Sequence, residues 1–251
     1  MECGKQKNGI GIGGGISGVL NVCKPVGLSS FRVVSLLRRR FGIKKVGHLG
    51  TLDPLACGVL VLLCGAATKR MNELSGGTKV YRSIFTFGVE TATLDKEGEV
   101  IKTDNKKITE TDIKNILSDM TGEIEITVPK FSAVHIGGRR AYDLARSGID
   151  FTPPKKTVSI TRFELLKQMN ENEFFFEIEC TTGTYIRSLA KLLAEKLDTV
   201  AIASLIIRTR VGDFDISGSH NLDEVSPENI MLDCHKLKKG NTEMRAKSSP
   251  N

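Results

Sequence analysis

The chain has no tryptophan, three tyrosines and only 6% aromatic residues, so surface for stacking against a planar ligand is scarce. No stretch approaches the ~20 consecutive apolar residues of a membrane span, and the N-terminus lacks the apolar core of a secretory signal. Six cysteines (Cys3, Cys23, Cys57, Cys64, Cys180, Cys234) form no C-x-x-C pair, which suits buried thiols in a reducing cytosol better than a disulfide framework or a zinc site. The four histidines (His48, His135, His220, His235) show no metal-ligand spacing, which argues against a catalytic metal. One further scarcity is local: between Glu2 and Asp53 there is no acidic residue at all.

That gap organises the charge. The 251 residues carry 36 Lys+Arg and 29 Asp+Glu, for a formal charge of +7. Residues 1–52 hold nine basic side chains (Lys5, Lys7, Lys24, Arg32, Arg38, Arg39, Arg40, Lys44, Lys45) against one acid, whereas residues 53–251 hold 27 against 28. The whole positive excess thus precedes Asp53. Such a cluster points to a polyanionic partner, although a solvated face has the same composition.

The length suits one large domain or two small ones. Residues 1–17 are glycine-rich and contain a G-x-G-x-x-G match at Gly9, Gly11 and Gly14. A dinucleotide-binding turn needs a strand before it and a helix after it. Here a polar start precedes and an apparent strand, GVLNV (18–22), follows, so a flexible leader is expected. Ser29 reads as an N-cap, Val33, Val34, Leu36, Leu37 and Phe41 recur at helical spacing, and Gly42 terminates the run. Arg38–Arg40 then fall at the helix C-terminus, where cations are favoured. Residues 47–57 read as a loop before an apolar strand at 59–63. Further helices are expected near 68–75, 109–120, 139–147 and 184–197, with strands near 79–89, 123–128, 156–167 and 173–182 and a last one at 208–214. The mixture lacks a strict βαβ rhythm and predicts an α+β fold, a mixed and mostly antiparallel sheet flanked by helices. The 37 residues after Phe214 read as a short covering segment and tail rather than a second domain.

Asp53 is the most conspicuous candidate for chemistry. It stands in a Gly/Pro-shaped turn, GHLGTLDPLACGVL (47–60), and a carboxylate in a positive field is an ionised nucleophile that needs no activating base. Asp-Pro is equally a common turn dipeptide in which the aspartate bonds its own backbone. His48, in the same segment, could contact a ligand or fill space. Arg187 lies in the first turn of an amphipathic helix, an end that disfavours cations, so it is either solvated or matched to an anion such as Asp53 or a phosphate. Tyr81, flanked by Lys79 and Arg82, suits stacking on a base beside phosphate contacts. A strand-edge aromatic would look the same.

KPVGLSS (24–30), GHLGTLDPLACGVL (47–60), KVYR (79–82), SAVHIGGRRAYDLARSG (132–148), GTYIRSL (183–189) and RTRVGDF (208–214) occur in an order and spacing that resemble bacterial tRNA pseudouridine-55 synthases, the TruB family. The resemblance covers about residues 18–214 and implies the pseudouridine synthase fold. It also implies a cytoplasmic, cofactor-free, monomeric isomerase that flips uridine-55 out of the T-loop of tRNA and rejoins it through carbon. By motif position, Asp53 resembles the catalytic nucleophile, Tyr81 the tyrosine that stacks on the base and serves as general base, and Arg187 the partner of the aspartate. His48, Tyr185 and Ile206 resemble substrate-contacting positions, with Lys24 and Pro25 supporting the site. Arg38, Arg39, Lys44 and Lys45 are expected to hold RNA phosphates. Two departures stand out: Ile206 and Ile207 replace the family's Leu-Arg, removing one possible RNA contact, and 37 residues are too few for the family's C-terminal PUA-like RNA-binding domain. Three other readings are a guide-directed ribosomal RNA synthase, an RNA-binding protein without chemistry, and a glycosidase whose second carboxylate would be Glu73 or Glu90.

Overall fold

The computed structural model describes residues 16–230; the G-x-G-x-x-G match, Cys3, Cys234, His235 and the polar C-terminal stretch lie outside them. The chain opens with β1 (Gly18–Lys24) and α1 (Ser30–Phe41). The Ser29 side chain accepts the Arg32 N–H at the start of α1, and Gly42 closes it in the left-handed conformation at φ 65°, as expected of a Ser cap and a Gly stop. Next come β2 (Val46–His48), β3 (Cys57–Cys64), a 3₁₀ turn, α2 (Met71–Leu74) and β4 (Lys79–Phe87). A hairpin of β5 (Val89–Thr91) and β6 (Val100–Thr103) leads to α3 (Glu110–Leu117), where Thr109 and Asp112 form a reciprocal capping box. Beyond β7 (Gly122–Thr127) the chain makes an excursion through β8 (His135–Ile136), β9 (Arg139–Arg140) and α4 (Ala141–Arg146). It returns along β10 (Lys155–Gln168), β11 (Glu173–Cys180), α5 (Ile186–Lys196) and β12 (Ala201–Val211), and ends in β13 (Phe214–Asp215) and β14 (His220–Asn221).

The main sheet runs β14-β1-β3-β12-β4-β11-β10-β7, with β2 added to β3 and β13 to β12. Only the β1–β14 and β3–β12 pairings are parallel, so the sheet is mixed and mostly antiparallel, as the sequence pattern predicts. Strand β3 explains why its sequence is an unbroken apolar run rather than an alternation. Leu60, Leu62 and Cys64 enter the large core, to which α1, α3 and α5 contribute, while Val59, Val61 and Leu63 enter a smaller core with Val19, Leu49, Val211 and Phe214. By contrast β11 alternates buried and half-buried residues, and its Phe176 packs on Phe85 and Phe163 at centroid distances of 4.8 and 5.5 Å.

Two boundaries differ from the sequence reading. Residues 47–48, read as the start of the loop, belong with Val46 to a short strand, because Val46–His48 pair with Leu62–Cys64 and extend the sheet beside β3. The last long strand begins at Ala201, not Arg208: the apolar 201–207 stretch and Arg-Thr-Arg-Val are one strand with two register shifts against β4. After it, β14 pairs with β1, and Val225 and Ile230 are buried in the large core.

Candidate active site

Asp53 sits in the connection between β2 and β3, held from three directions. From β12, the fully buried Arg208 donates to Val59 O (2.8 Å), Thr51 O (3.3 Å) and Gly50 O (3.1 Å). From α1, the Ser30 hydroxyl donates to Leu52 O and accepts the Leu52 N–H at 3.0 and 2.8 Å. From the end of β1, the Lys24 ammonium donates to Pro25 O (2.8 Å), Leu28 O (2.5 Å) and Pro54 O (3.4 Å), and Gly27 N–H donates to Pro54 O (2.8 Å). Every flank of the aspartate is thus anchored through its backbone, which fixes the carboxylate without consuming it. Lys24 is fully buried, and desolvation lowers its pKa to about 8. Its role is to brace the loop from inside.

The Asp53 carboxylate does not turn back on its own backbone. Its Oδ2 lies 2.8 Å from Arg187 Nη2. Arg187, at the start of α5, is only 4% exposed, which excludes the solvated alternative. Its Nη1 faces Asp95 Oδ2 at 3.5 Å, and the guanidinium also donates to Thr93 O (2.7 Å) and Phe131 O (3.1 Å). Two carboxylates and two carbonyls compensate a cation placed at the wrong end of a helix. Asp95 is itself buried and oriented by the Thr93 hydroxyl (2.6 Å) and Glu97 N–H (3.0 Å). The sequence reading missed Asp95, because Thr-Ala-Thr-Leu-Asp reads locally as a polar turn and nothing in its spacing points to α5. It also missed Arg208 and Ser30 as supports of the loop.

Asp53 and Arg187 open onto a cavity of about 380 Å³ whose lining includes Tyr81, Tyr185, Ile206 and Lys79, with Phe131 and Tyr142 from the excursion between β7 and β10. Burial pushes the Tyr81 phenol up, while Arg208 beside it acts in the opposite direction. A neutral ring suited to stacking is what Tyr81 presents; burial disfavours the phenolate that a base would need. Tyr185 is half-buried and its phenol is also pushed up by burial. Both departures in the 206–207 pair are accommodated: Ile206 closes the pocket wall and Ile207 pairs with Arg82 and Cys57.

The remaining candidates lie elsewhere. His48 is on β2, outside the pocket lining, with its Nδ1 buried and unpartnered among the described residues and its pKa lowered by burial and then by Arg208. Arg38, Arg39, Lys44 and Lys45 are exposed at and beyond the end of α1. Arg40 is not part of that free set, because it donates to Leu222 O (3.1 Å) and Asp223 O (2.8 Å). Neither carboxylate of the glycosidase reading joins Asp53: Glu73 pairs with Arg70, and Glu90 pairs with Lys191 beside a different cavity.

Residues 38–186 match the TruB family pseudouridylate synthase (N terminal domain). Curated relatives called tRNA pseudouridine synthase B include one from Caldicellulosiruptor saccharolyticus, 43% identical over 216 residues, covering 86% of this chain and 75% of the relative. Another, from Caldanaerobacter subterraneus subsp. tengcongensis, is 40% identical over 211 residues, covering 84% and 74%. Among solved structures, a chain of the crystal structure of a Cbf5-Nop10-Gar1 complex superposes with a TM-score of 0.65 at 26% identity over 82% of this chain. The present chain spans about half of that one, 53% of its length. A matched domain that contains Asp53, Tyr81 and Asp95 and ends at the helix bearing Arg187, together with relatives at 40% identity or more, leads to one assignment: this chain belongs to the TruB family of pseudouridylate synthases.

Proposed function

We propose that the protein isomerises uridine-55 in the T-loop of tRNA to pseudouridine, acting as a cytoplasmic monomer with Asp53 as nucleophile. The observation that carries the reading is the Asp53–Arg187 pair in the wall of a pocket that also presents the Tyr81 ring. A pocket of this volume takes a flipped nucleoside, and a buried tyrosine ring supplies the stacking that the base loses on leaving the loop. The names of the curated relatives support tRNA as the substrate, and their higher identity favours tRNA over the guide-directed alternative.

In the proposed reaction an Asp53 oxygen bonds to ribose C1′ while the C1′–N1 bond breaks and leaves its electron pair on N1. The freed ring turns, C5 bonds to C1′, and the carboxylate departs with the electrons of the C1′–O bond. Loss of the C5 proton and protonation of N1 complete an isomerisation in which no atom is gained or lost. Arg187 aims the carboxylate before attack and stabilises it when it is released. Exposed Arg38, Arg39, Lys44 and Lys45 would neutralise phosphates flanking the loop.

Incubating an unmodified tRNA transcript with the protein and mapping pseudouridine by carbodiimide adducts and primer extension tests this reading. A single stop at position 55 is expected. No stop, or one only at another uridine, would overturn it.

A further inference from the structure

Lys79 begins β4 two residues before Tyr81, so the two side chains share one face of the strand. It is 5% exposed and lines the Asp53 pocket. Glycine at position 50, at φ 87°, makes room for it: a Cβ there would lie 2.7 Å from the Lys79 ammonium. The neighbouring buried cations are all committed, Lys24 and Arg208 to three carbonyls each and Arg187 to two carboxylates and two carbonyls. Among the described residues, the Lys79 ammonium has neither a hydrogen-bond acceptor nor a carboxylate. The ammonium opens onto the pocket rather than being sealed off, so a largely buried lysine with no protein partner offers its hydrogen bonds to whatever fills that pocket.

The charge flow of the proposed reaction identifies what that ligand offers. When C1′ bonds to Asp53, the negative charge leaves the carboxylate and appears on the detached ring, spread over N1 and the two carbonyl oxygens. Arg187 is anchored to Thr93, Phe131 and Asp95 and cannot follow it. A second cation is needed where the charge arrives. Phosphates remain on the RNA surface, whereas Lys79 is buried beside the ring of Tyr81.

We propose that Lys79 is a catalytic residue of this reaction, donating a hydrogen bond to a carbonyl oxygen of the flipped uracil and stabilising the ring anion formed when the glycosidic bond breaks. This rests on the reading of the site as a uridine isomerase. The groups facing Lys79 are Arg208 from β12, Lys156 from β10, Cys180 from β11, His48 from β2 and Tyr81 on its own strand. None of these supplies an anion near neutral pH, since burial holds the Cys180 thiol up at about 11, and the one carboxylate lining the shared pocket, Asp53, is taken by Arg187 at 2.8 Å. Burial first, and Arg208 second, lower Lys79 to about 8. The ammonium is therefore present at pH 7 and is lost as the pH rises through about 8, taking its stabilisation with it.

The test measures kcat and kcat/KM for tritium release from 5-tritiated uridine in a T-arm RNA from pH 6 to 9.5, with RNA affinity by filter binding, for the full chain and its Lys79→Met and Lys79→Arg variants. Lys79→Met is expected to lower kcat about 100-fold, the loss typical of one oxyanion donor. Its affinity for the RNA should stay within about threefold of wild type, because no phosphate contact is removed. Wild-type kcat/KM should fall above about pH 8, and Lys79→Arg should recover much of kcat without that fall. Wild-type kcat in Lys79→Met, equal losses of rate and affinity, or an unchanged alkaline fall in Lys79→Arg would each overturn the proposal. Should Lys79→Met fail to fold, the pH profile of Lys79→Arg decides. Absence of tritium release from wild type at any pH would instead remove the isomerase reading beneath it.

Discussion

Arg187 is the residue on which the site turns. A guanidinium buried at a helix N-terminus is electrostatically out of place; in GTYIRSL the position alone left it either solvated or matched to an anion, and burial decides for the anion. Asp53 fills that demand at 2.8 Å, but Asp95 was invisible beforehand because its partner comes from a helix 92 positions away in the chain. Removing the cation leaves Asp95 buried and unpaired. Arg187→Met should therefore cost about 3–5 kcal/mol in urea unfolding, and adding Asp95→Leu should recover part of that loss in a double-mutant cycle. Equal stability of wild type and Arg187→Met would mean that the pair contributes nothing to the fold.

At the scale of elements, the caps and apolar spacing of α1 and α3 were readable because they are local. The clamp on the Asp53 loop was not, since it joins α1, the end of β1 and β12 through backbone carbonyls that any sequence possesses. Strand β2 was hidden for a related reason: three residues among glycines carry no alternation, and only pairing with β3 makes them a strand. Ser30→Ala would strip both bonds from Leu52 and leave a buried N–H and C=O unsatisfied. A loss of about 1–3 kcal/mol is expected, with kcat falling more than RNA affinity. Gly58 tests the same clamp from the sheet. At φ 99°, its missing Cβ would stand 2.2 Å from the Arg208 carbonyl oxygen, so Gly58→Ala must separate β3 from β12 or unfold. Thermal denaturation should show a loss of at least about 1–3 kcal/mol.

Across the whole molecule, the positive excess before Asp53 divides into three kinds of cation that composition could not separate. Among the described residues, Lys24 is a buried brace, Arg40 ties α1 to residues 222–223, and Arg32, Arg38, Arg39, Lys44 and Lys45 remain exposed. Among these described cations, the exposed set is the one the proposed function assigns to RNA phosphates. Affinity should fall steeply with salt, and Lys44→Ala or Lys45→Ala should each reduce the slope of log Kd against log salt by about 1. A slope unchanged by either would move the RNA to another face.

The account as a whole stands on Asp53 reacting rather than merely shaping its turn. Tritium release from 5-tritiated uridine in a T-arm RNA, measured side by side for wild type and Asp53→Asn with RNA affinity recorded for both, tests that most directly. Release by wild type and none by Asp53→Asn, at affinities within a few-fold of each other, is the predicted result. Release by Asp53→Asn at the wild-type rate would contradict it.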